Sequence, residues 1–474
     1  MPCTRAFHLL TRALTRPPLL LLLLLLLACW LPTTAMRSAA TTQPESSSEI
    51  RVTRLTAPDA PTTAEVSVAI DPRDRDHIVV SAYQVNRPGE PRVSNVLFTS
   101  RDGGRTWRED LAPNAERRTH GDDAVVFAAD GTLYHSYIAF DGIRVARPAV
   151  ARSGIVVRRA DPSGGWHAPV PVVDHRNTVT PFEDKPWPGV DRSDASPHRG
   201  TLYVAWTRFD EYGSPRADCR TEIHVSRSTD RGQTFAMPFR ISDRAGTCLD
   251  DDETVEGAVP TVGPGGEVYV AWAGPAGIVL DRSDDGGLTF GSDRPVAAMP
   301  GGWDIEIAGL SRSNGLPVTA ADISDGPRRG TVYVCWVDSR HGDPDVFVAA
   351  SSDRGETWSA PVRVNDDAVG NGRPQFFAWL AVDQSSGDLH VVFHDRRTGT
   401  GTETALTLAQ SHDGGRSWVN LPVPLAPFTT DAKTPFGDYN GIDAVSGRVV
   451  AAFPHFVGES QVGVSVAIRD LPPR

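Results

Sequence analysis

The 474-residue sequence predicts an all-β chain, a seven-bladed β-propeller of four-stranded antiparallel blades, and three observations carry that reading. A pattern Ser-x-Asp-x-Gly-x-Thr/Ser-Trp/Phe occurs five times, starting at Ser100, Ser228, Ser283, Ser351 and Ser411, and a worn sixth copy keeps Arg159, Asp161 and Trp166. The six starts lie 59, 69, 55, 68 and 60 residues apart, a period that marks a repeat array. Upstream of the boxes runs a second repeat, near-identical in Gly200-Thr201-Leu202-Tyr203-Val204-Ala205-Trp206, Gly266-Glu267-Val268-Tyr269-Val270-Ala271-Trp272 and Gly330-Thr331-Val332-Tyr333-Val334-Cys335-Trp336. Helical periodicity is missing, and 43 glycines and 38 prolines punctuate turns throughout.

Each element follows from its residues. A short apolar strand opens the repeat, as in residues 66–70, 124–128, 258–262 and 380–383. The second strand is apolar at almost every position, as a strand covered on both faces must be. A third, β-branched strand such as Ile223-His224-Val225 leads into the box. There the Asp side chain can accept backbone N–H groups, Gly takes positive φ, and the aromatic opens the fourth strand. The box aspartates are therefore read as structural. Looser second strands begin at His77, Gly131, Gly387 and Gly447, making seven second strands against six boxes. The last repeat, 437–468, lacks a box and a fourth strand. Residues 49–56 (EIRVTRLT) can supply that strand and close the ring, which removes free sheet edges. Six blades is the fallback.

Residues 49–474 form the propeller in this reading, and residues 1–28 form an export signal: Arg5, Arg12 and Arg16 precede nine leucines, and the apolar run is shorter than the ~20 residues that span a bilayer. Two processing routes stay open. Leu26-Leu27-Ala28-Cys29 has the form of a lipoprotein box that would lipidate Cys29, with 29–48 as a tether, and Ser38-Ala39-Ala40 would serve ordinary cleavage. Export permits disulfides. Cys335 lies in a second strand and is expected as a free core thiol. Cys219 and Cys248 lie in loop classes that emerge at the same end of a propeller, so a disulfide between them is expected.

A net charge of −12 suits a soluble surface and argues against nucleic acid as a partner. No cofactor or metal is expected; the run Asp250-Asp251-Asp252-Glu253 reads as a solvated loop. The boxes occupy one face of the ring. Any pocket should form on the other, where inter-blade loops meet the channel. Those loops offer Asp122, Asp123, Glu183, Asp184, Lys185, Trp187, Glu256, Lys433, Asp438 and Tyr439, and the second-to-third strand loops add Arg208, Arg340 and Arg396. Acids, arginine forks and aromatic faces together suit a glycan, and Trp187, Trp303 and Trp379 are the tryptophans that neither repeat explains.

With these boxes, nearly all of residues 49–474 resembles the sialidase superfamily of Asp-box (BNR-repeat) propellers. The motifs Glu183-Asp184-Lys185-Pro186-Trp187 and Gly437-Asp438-Tyr439-Asn440-Gly441 look like those of bacterial exported sialidase-like proteins. The resemblance implies a tyrosine nucleophile, a glutamate beside it, an aspartate acid/base and an arginine clamp for a substrate carboxylate. Tyr439, Glu256 and Asp123 take the catalytic roles in that mapping, and Arg208, Arg340 and Arg396 the clamp; Lys185, Trp187 and Asp438 join them as substrate-binding residues. Glu65-Val66-Ser67-Val68 stands where the family carries Arg-Ile-Pro. The expected function is an exported, monomeric glycoside hydrolase acting on sialosides or other acidic glycans, touching a membrane only through a lipid on Cys29. A non-catalytic cell-surface propeller that binds glycans or proteins is the alternative, and a lyase using Lys185 or Tyr439 as base is a third reading.

Overall fold

The box turns are built as their side chains dictate. In the computed structural model, which describes residues 49–114, 116–142 and 148–472, Asp230 Oδ1 accepts the N–H groups of Gln233 and Thr234 at 3.0 and 2.9 Å. Its Oδ2 takes the Thr234 hydroxyl at 2.6 Å, and Ser228 Oγ accepts Gly232 N–H at 2.8 Å. Asp102, Asp285, Asp353 and Asp413 repeat this geometry. The box glycines serve close approach as well as positive φ: a Cβ on Gly104 would stand 2.2 Å from Ile468 of the last blade, and one on Gly287 2.6 Å from Tyr203 of the preceding blade.

Seven antiparallel sheets result, so the ring has seven blades. Their innermost strands are Thr63–Asp71, Thr119–Phe127, Phe182–Val190, Glu256–Val262, Val318–Ala321, Gln375–Asp383 and Gly441–Val445, in blades 1 to 7. Within each of blades 1 to 6 the next three strands follow outward in chain order. Blade 6 carries one extra short strand, Phe428–Thr429, paired with residues 403–404. The outer strand of blade 7 comes from the other end of the chain: Arg51–Arg54 pairs antiparallel with Gln461–Asp470, Arg51 opposite Ile468 and Arg54 opposite Ser465. The ring is thus closed by residues some 400 positions apart, and no sheet edge is left between first and last blades.

The second strands form the buried middle layer, and Trp206, Trp272 and Trp336 are fully enclosed. A disulfide joins Cys219 to Cys248, and Cys335 is a buried free thiol. The export-signal and tether readings, Cys29 included, fall outside the described residues. Among the described residues no helix is long and apolar enough to cross a membrane.

Candidate active site

The channel mouth opposite the boxes is shaped by one recurring irregularity. In blades 1, 2, 3, 4 and 6 the innermost strand bulges where it enters the sheet, and the register shifts there. Counting back two residues from the partners of Ser81, Ser136, Ala205, Ala271, Cys335, Val392 and Ala452 gives one equivalent position per blade. It is held by Glu65, Asp122, Lys185, Gly257, Leu316, Phe377 and Tyr439. Four of these non-glycine residues sit at positive φ: Glu65 at 50°, Asp122 at 46°, Lys185 at 49° and Phe377 at 53°. Such a backbone costs roughly 1–3 kcal/mol per residue and concentrates at functional sites, where a bulge re-aims a side chain. Neighbours in the ring touch: a Cβ on Gly257 would lie 2.8 Å from Leu316, and one on Gly437 2.8 Å from the Glu65 backbone nitrogen.

Two spaces result. One, of about 560 Å³, is lined by Asp122, Lys185, Trp187, Trp379, Asp438 and Tyr439 among others. The other is a wider cleft of about 1650 Å³ lined by Glu65, Tyr83, Asp122 and Tyr212, with Asp122 common to both. Trp187 of blade 3 and Trp379 of blade 6 meet across the channel with ring centroids 4.3 Å apart. Tyr439 packs edge-on to Trp187 at 5.5 Å. The two tryptophans also line the space of about 920 Å³ further down the channel, so they form a floor between the two.

Charge converges above that floor. Lys185 Nζ lies 3.0 and 3.2 Å from the two Asp438 oxygens and 5.2 Å from the Tyr439 ring centre. Arg312 Nε holds Asp438 at 3.2 Å, while its Nη2 reaches Glu256 at 3.4 Å and Asp250 at 3.3 Å. Asp250 also takes the Tyr212 hydroxyl. Burial alone would raise the Asp438 carboxyl, but Lys185 and Arg312 outweigh it and hold the group below the usual carboxylate range. Its neighbours go the other way. Burial raises Glu65 well above normal, and the charges of Asp438 and Asp122 add to the effect. Burial likewise raises Asp184, which lies against Asp122. Glu256 is fully enclosed and is pushed up to about 8, because burial exceeds the help it gets from Arg312. The Tyr439 phenol is also raised well above normal, by burial and then by Glu65 and Asp122.

The structure gathers Lys185, Trp187, Asp438 and Tyr439 on one cavity wall, and Arg312 ties Glu256 to them. Other expectations are corrected. Tyr439 Oη has no hydrogen-bond partner among the described residues, so it is not paired with Glu256. Asp123 is fully buried against His135 Nε2 at 2.8 Å; the bulge at Asp122 shifts the strand's alternation, so Asp122 faces the mouth instead. The three clamp arginines are held by local partners, and Arg340 also donates to Ala298 O, just past the outer strand of blade 4, at 3.0 Å. Arg208 pairs with Asp210 at 2.9 Å and Arg340 with Asp338 at 2.9 Å, while Arg396 is buried against Thr404 and Thr430. Each lies a strand or more away from the channel wall. Trp303 is buried and donates to Thr254 O at 3.1 Å, so it anchors its loop rather than a sugar. Asp250, expected in solvent, turns inward to Arg312 and Tyr212. Glu65 and Arg312 were missed: the first opens an ordinary strand, and the second sits in the long loop before blade 5, where no periodic pattern exists.

No family model and no curated protein sequence matches this chain. Solved structures do match in fold. One is a polysaccharide lyase, an ulvan lyase with bound -[GlcA(1-4)Rha3S]-, at 14% identity and a TM-score of 0.50, covering 85% of this chain and 94% of that one. A Hadza microbial sialidase matches at 14% identity and a TM-score of 0.47, over 90% and 93% of the two chains. An α-L-arabinanase of Penicillium chrysogenum matches at 12% identity and a TM-score of 0.45, over 87% and 99%. By fold, the chain is a seven-bladed β-propeller.

Proposed function

We propose that this chain is an exported glycan-cleaving enzyme, a glycoside hydrolase that works through carboxyl groups at the channel mouth. One observation carries the reading: a single mouth holds Asp438 ionised while it drives Glu256, Glu65 and Asp184 toward their protonated forms. Neighbouring carboxyls pushed apart in this way supply an acid and a base at one pH. Hydrolysis needs both. A protonated carboxyl gives its proton to the leaving glycosidic oxygen, and an ionised carboxylate draws a proton from the water that attacks the anomeric carbon. We assign Glu65, which faces the wider cleft, as the acid and Asp122, on its position where both spaces meet, as the base. Asp438, Lys185 and Arg312 position the ring. Trp187 and Trp379 offer a floor on which a sugar ring can stack. Tyr439, whose phenol is held neutral and lies apart from Glu256, serves as a hydroxyl donor rather than a nucleophile.

The test is a panel of fluorogenic glycosides and soluble polysaccharides, sialosides included, given to the mature protein with Glu65→Gln and Asp122→Asn beside it. Cleavage of one substrate, reduced at least about a hundredfold in each variant, is the expected result. Binding of a glycan with no cleavage under any condition would replace the hydrolase with a binding propeller.

A further inference from the structure

A second polar pocket lies on the flank of blade 2, apart from the acid cluster. The chain leaves the outer strand of blade 1 at Leu111 and reaches the innermost strand of blade 2 at Thr119. Arg118 of that crossing lines a cavity of about 790 Å³, together with Tyr137, Val156 and Pro171 from the second, third and fourth strands of blade 2. A largely apolar space of this size with a few polar groups has the form of a small-molecule site. His120 lines this pocket and also the wider mouth cleft that holds Glu65 and Asp122.

Arg152 has taken the acids at the edge of this pocket. Its guanidinium bonds Glu116 at 2.6 Å and Asp174 at 2.9 and 3.3 Å, and its backbone N–H donates to Asp141 at 2.7 Å. Arg118 is left over. It is only 8% exposed, and its Nε and Nη2 have no hydrogen-bond partner among the described residues. Its Nη1 stands 3.8 Å from Glu116, beyond hydrogen-bond reach. Burial pulls the guanidinium down from its ordinary value despite the charges of Asp141, Glu116 and Asp174. His120 is also buried, with Nδ1 unpartnered; burial, and then Arg118 and Arg158, hold it at about 4, so it is neutral and stands in a positive field. Buried donors of a charged group, left without acceptors, call for an anion.

We propose that this pocket is an anion subsite for the glycan bound at the mouth, and that Arg118 takes a carboxylate or sulfate substituent of the chain. The inference rests on the reading of the mouth as a glycan site and names an acidic glycan as its substrate class. Nε and Nη2 of a guanidinium lie side by side and give such a group two parallel N–H bonds, and these are the two nitrogens left unpartnered here. His120 adds a neutral N–H next to them. Arg118 lines neither mouth space, so the anion is kept off Glu65 and Asp122 and leaves their proton chemistry alone.

Isothermal titration of the mature protein with two matched pairs tests this: trigalacturonate against its methyl ester, and lactose sulfate against lactose. At least one charged member is expected to bind about tenfold more tightly than its neutral mate. Arg118→Gln should remove that preference, Arg118→Lys should keep part of it, and Arg117→Gln, at an exposed neighbour, should leave it unchanged. The parent protein is decisive even where Arg118→Gln does not fold: equal binding within both pairs, or no binding of any probe, overturns the proposal. A preference that survives Arg118→Gln, or one lost equally in Arg117→Gln, overturns it too. Inorganic sulfate is titrated beside the pairs; if it binds at Arg118 while neither pair shows a preference, the pocket is a free-anion site and the proposal fails. The outcomes separate it from the hydrolase reading. A charge preference that depends on Arg118, with no glycan cleaved, keeps the subsite and removes the hydrolase, whereas cleavage of a glycan with no charge preference does the reverse.

Discussion

The two faces of this ring use the same side chain in opposite ways. On the box face, Asp353 accepts the Thr357 hydroxyl and N–H and the Ser351 hydroxyl, and these bonds hold its carboxyl at about 2. Three donors face this carboxylate, and the residue is exposed. At the mouth, half-buried Glu65 and fully buried Glu256 each keep an enclosed oxygen unpaired, and their protonated forms are favoured. Backbone geometry does not divide the faces: Arg231 and Arg354 adopt positive φ in the box turns despite carrying a Cβ, as Glu65, Asp122, Lys185 and Phe377 do at the mouth. An acid surrounded by donors is a fastener; an acid starved of them is a reagent.

The largest effect expected from breaking this contrast is at Asp438. Asp438→Ala leaves Lys185, whose side chain is 12% exposed, without its counter-ion. Removing one partner of a buried pair costs about 3–5 kcal/mol; partly exposed Arg312 can turn to solvent, so the lower end is expected here. Urea unfolding of the mature protein measures it, and glycan binding should be lost along with the stability. A loss under 1 kcal/mol would mean that the cluster is solvated like the opposite face, and the contrast would collapse.

A smaller loss is expected on the box face. Asp230→Ala removes the acceptor for Gln233 N–H, Thr234 N–H and the Thr234 hydroxyl. Those donors can turn to water, so the cost is about 1–2 kcal/mol. Ligand binding at the mouth should be unchanged, because no box residue lines either mouth space. Altered affinity in Asp230→Ala would show that the faces are coupled through the blade.

The fold was open to reading because it repeats. A turn that must satisfy the same donors in blade after blade keeps the same residues, and Glu49–Thr56 announced itself as a strand without a sheet. The mouth does not repeat, and its legibility was uneven. Lys185, Trp187, Asp438 and Tyr439 stood out as unusual residues at the start of innermost strands. Asp123 was chosen over Asp122 because strict alternation hides a bulge, and one extra residue exchanges the two faces of a strand. Arg208 and Arg340 could have been set aside from sequence: each lies two residues from an acid, Asp210 or Asp338, where a second strand ends and a local ion pair is within reach. Arg312 could not be placed without the loop path that brings it from outside any strand to three acids on two blades.

The finest distinction between the faces is one of sign, and pH reads it. Asp230 is held at about 2 in the folded protein against an ordinary 3.8, so its stabilisation is complete above that ordinary value and disappears as pH falls through about 2. Glu256 is raised from 4.5 to about 8. Between those two values the unfolded chain releases the proton that the folded protein keeps. Its contribution is therefore full below pH 4.5 and is lost as pH rises through about 8. Glu256→Gln cannot ionise, so its melting temperature should lie close to or below that of the parent near pH 5, where the Arg312 contact is weakened, and gain on it steadily toward pH 8. A difference of a few degrees is enough to measure by calorimetry. If parent and variant keep a constant separation across that range, Glu256 is ionised in the folded protein and belongs with the box aspartates; if they converge and cross, burial has made it an acid at neutral pH.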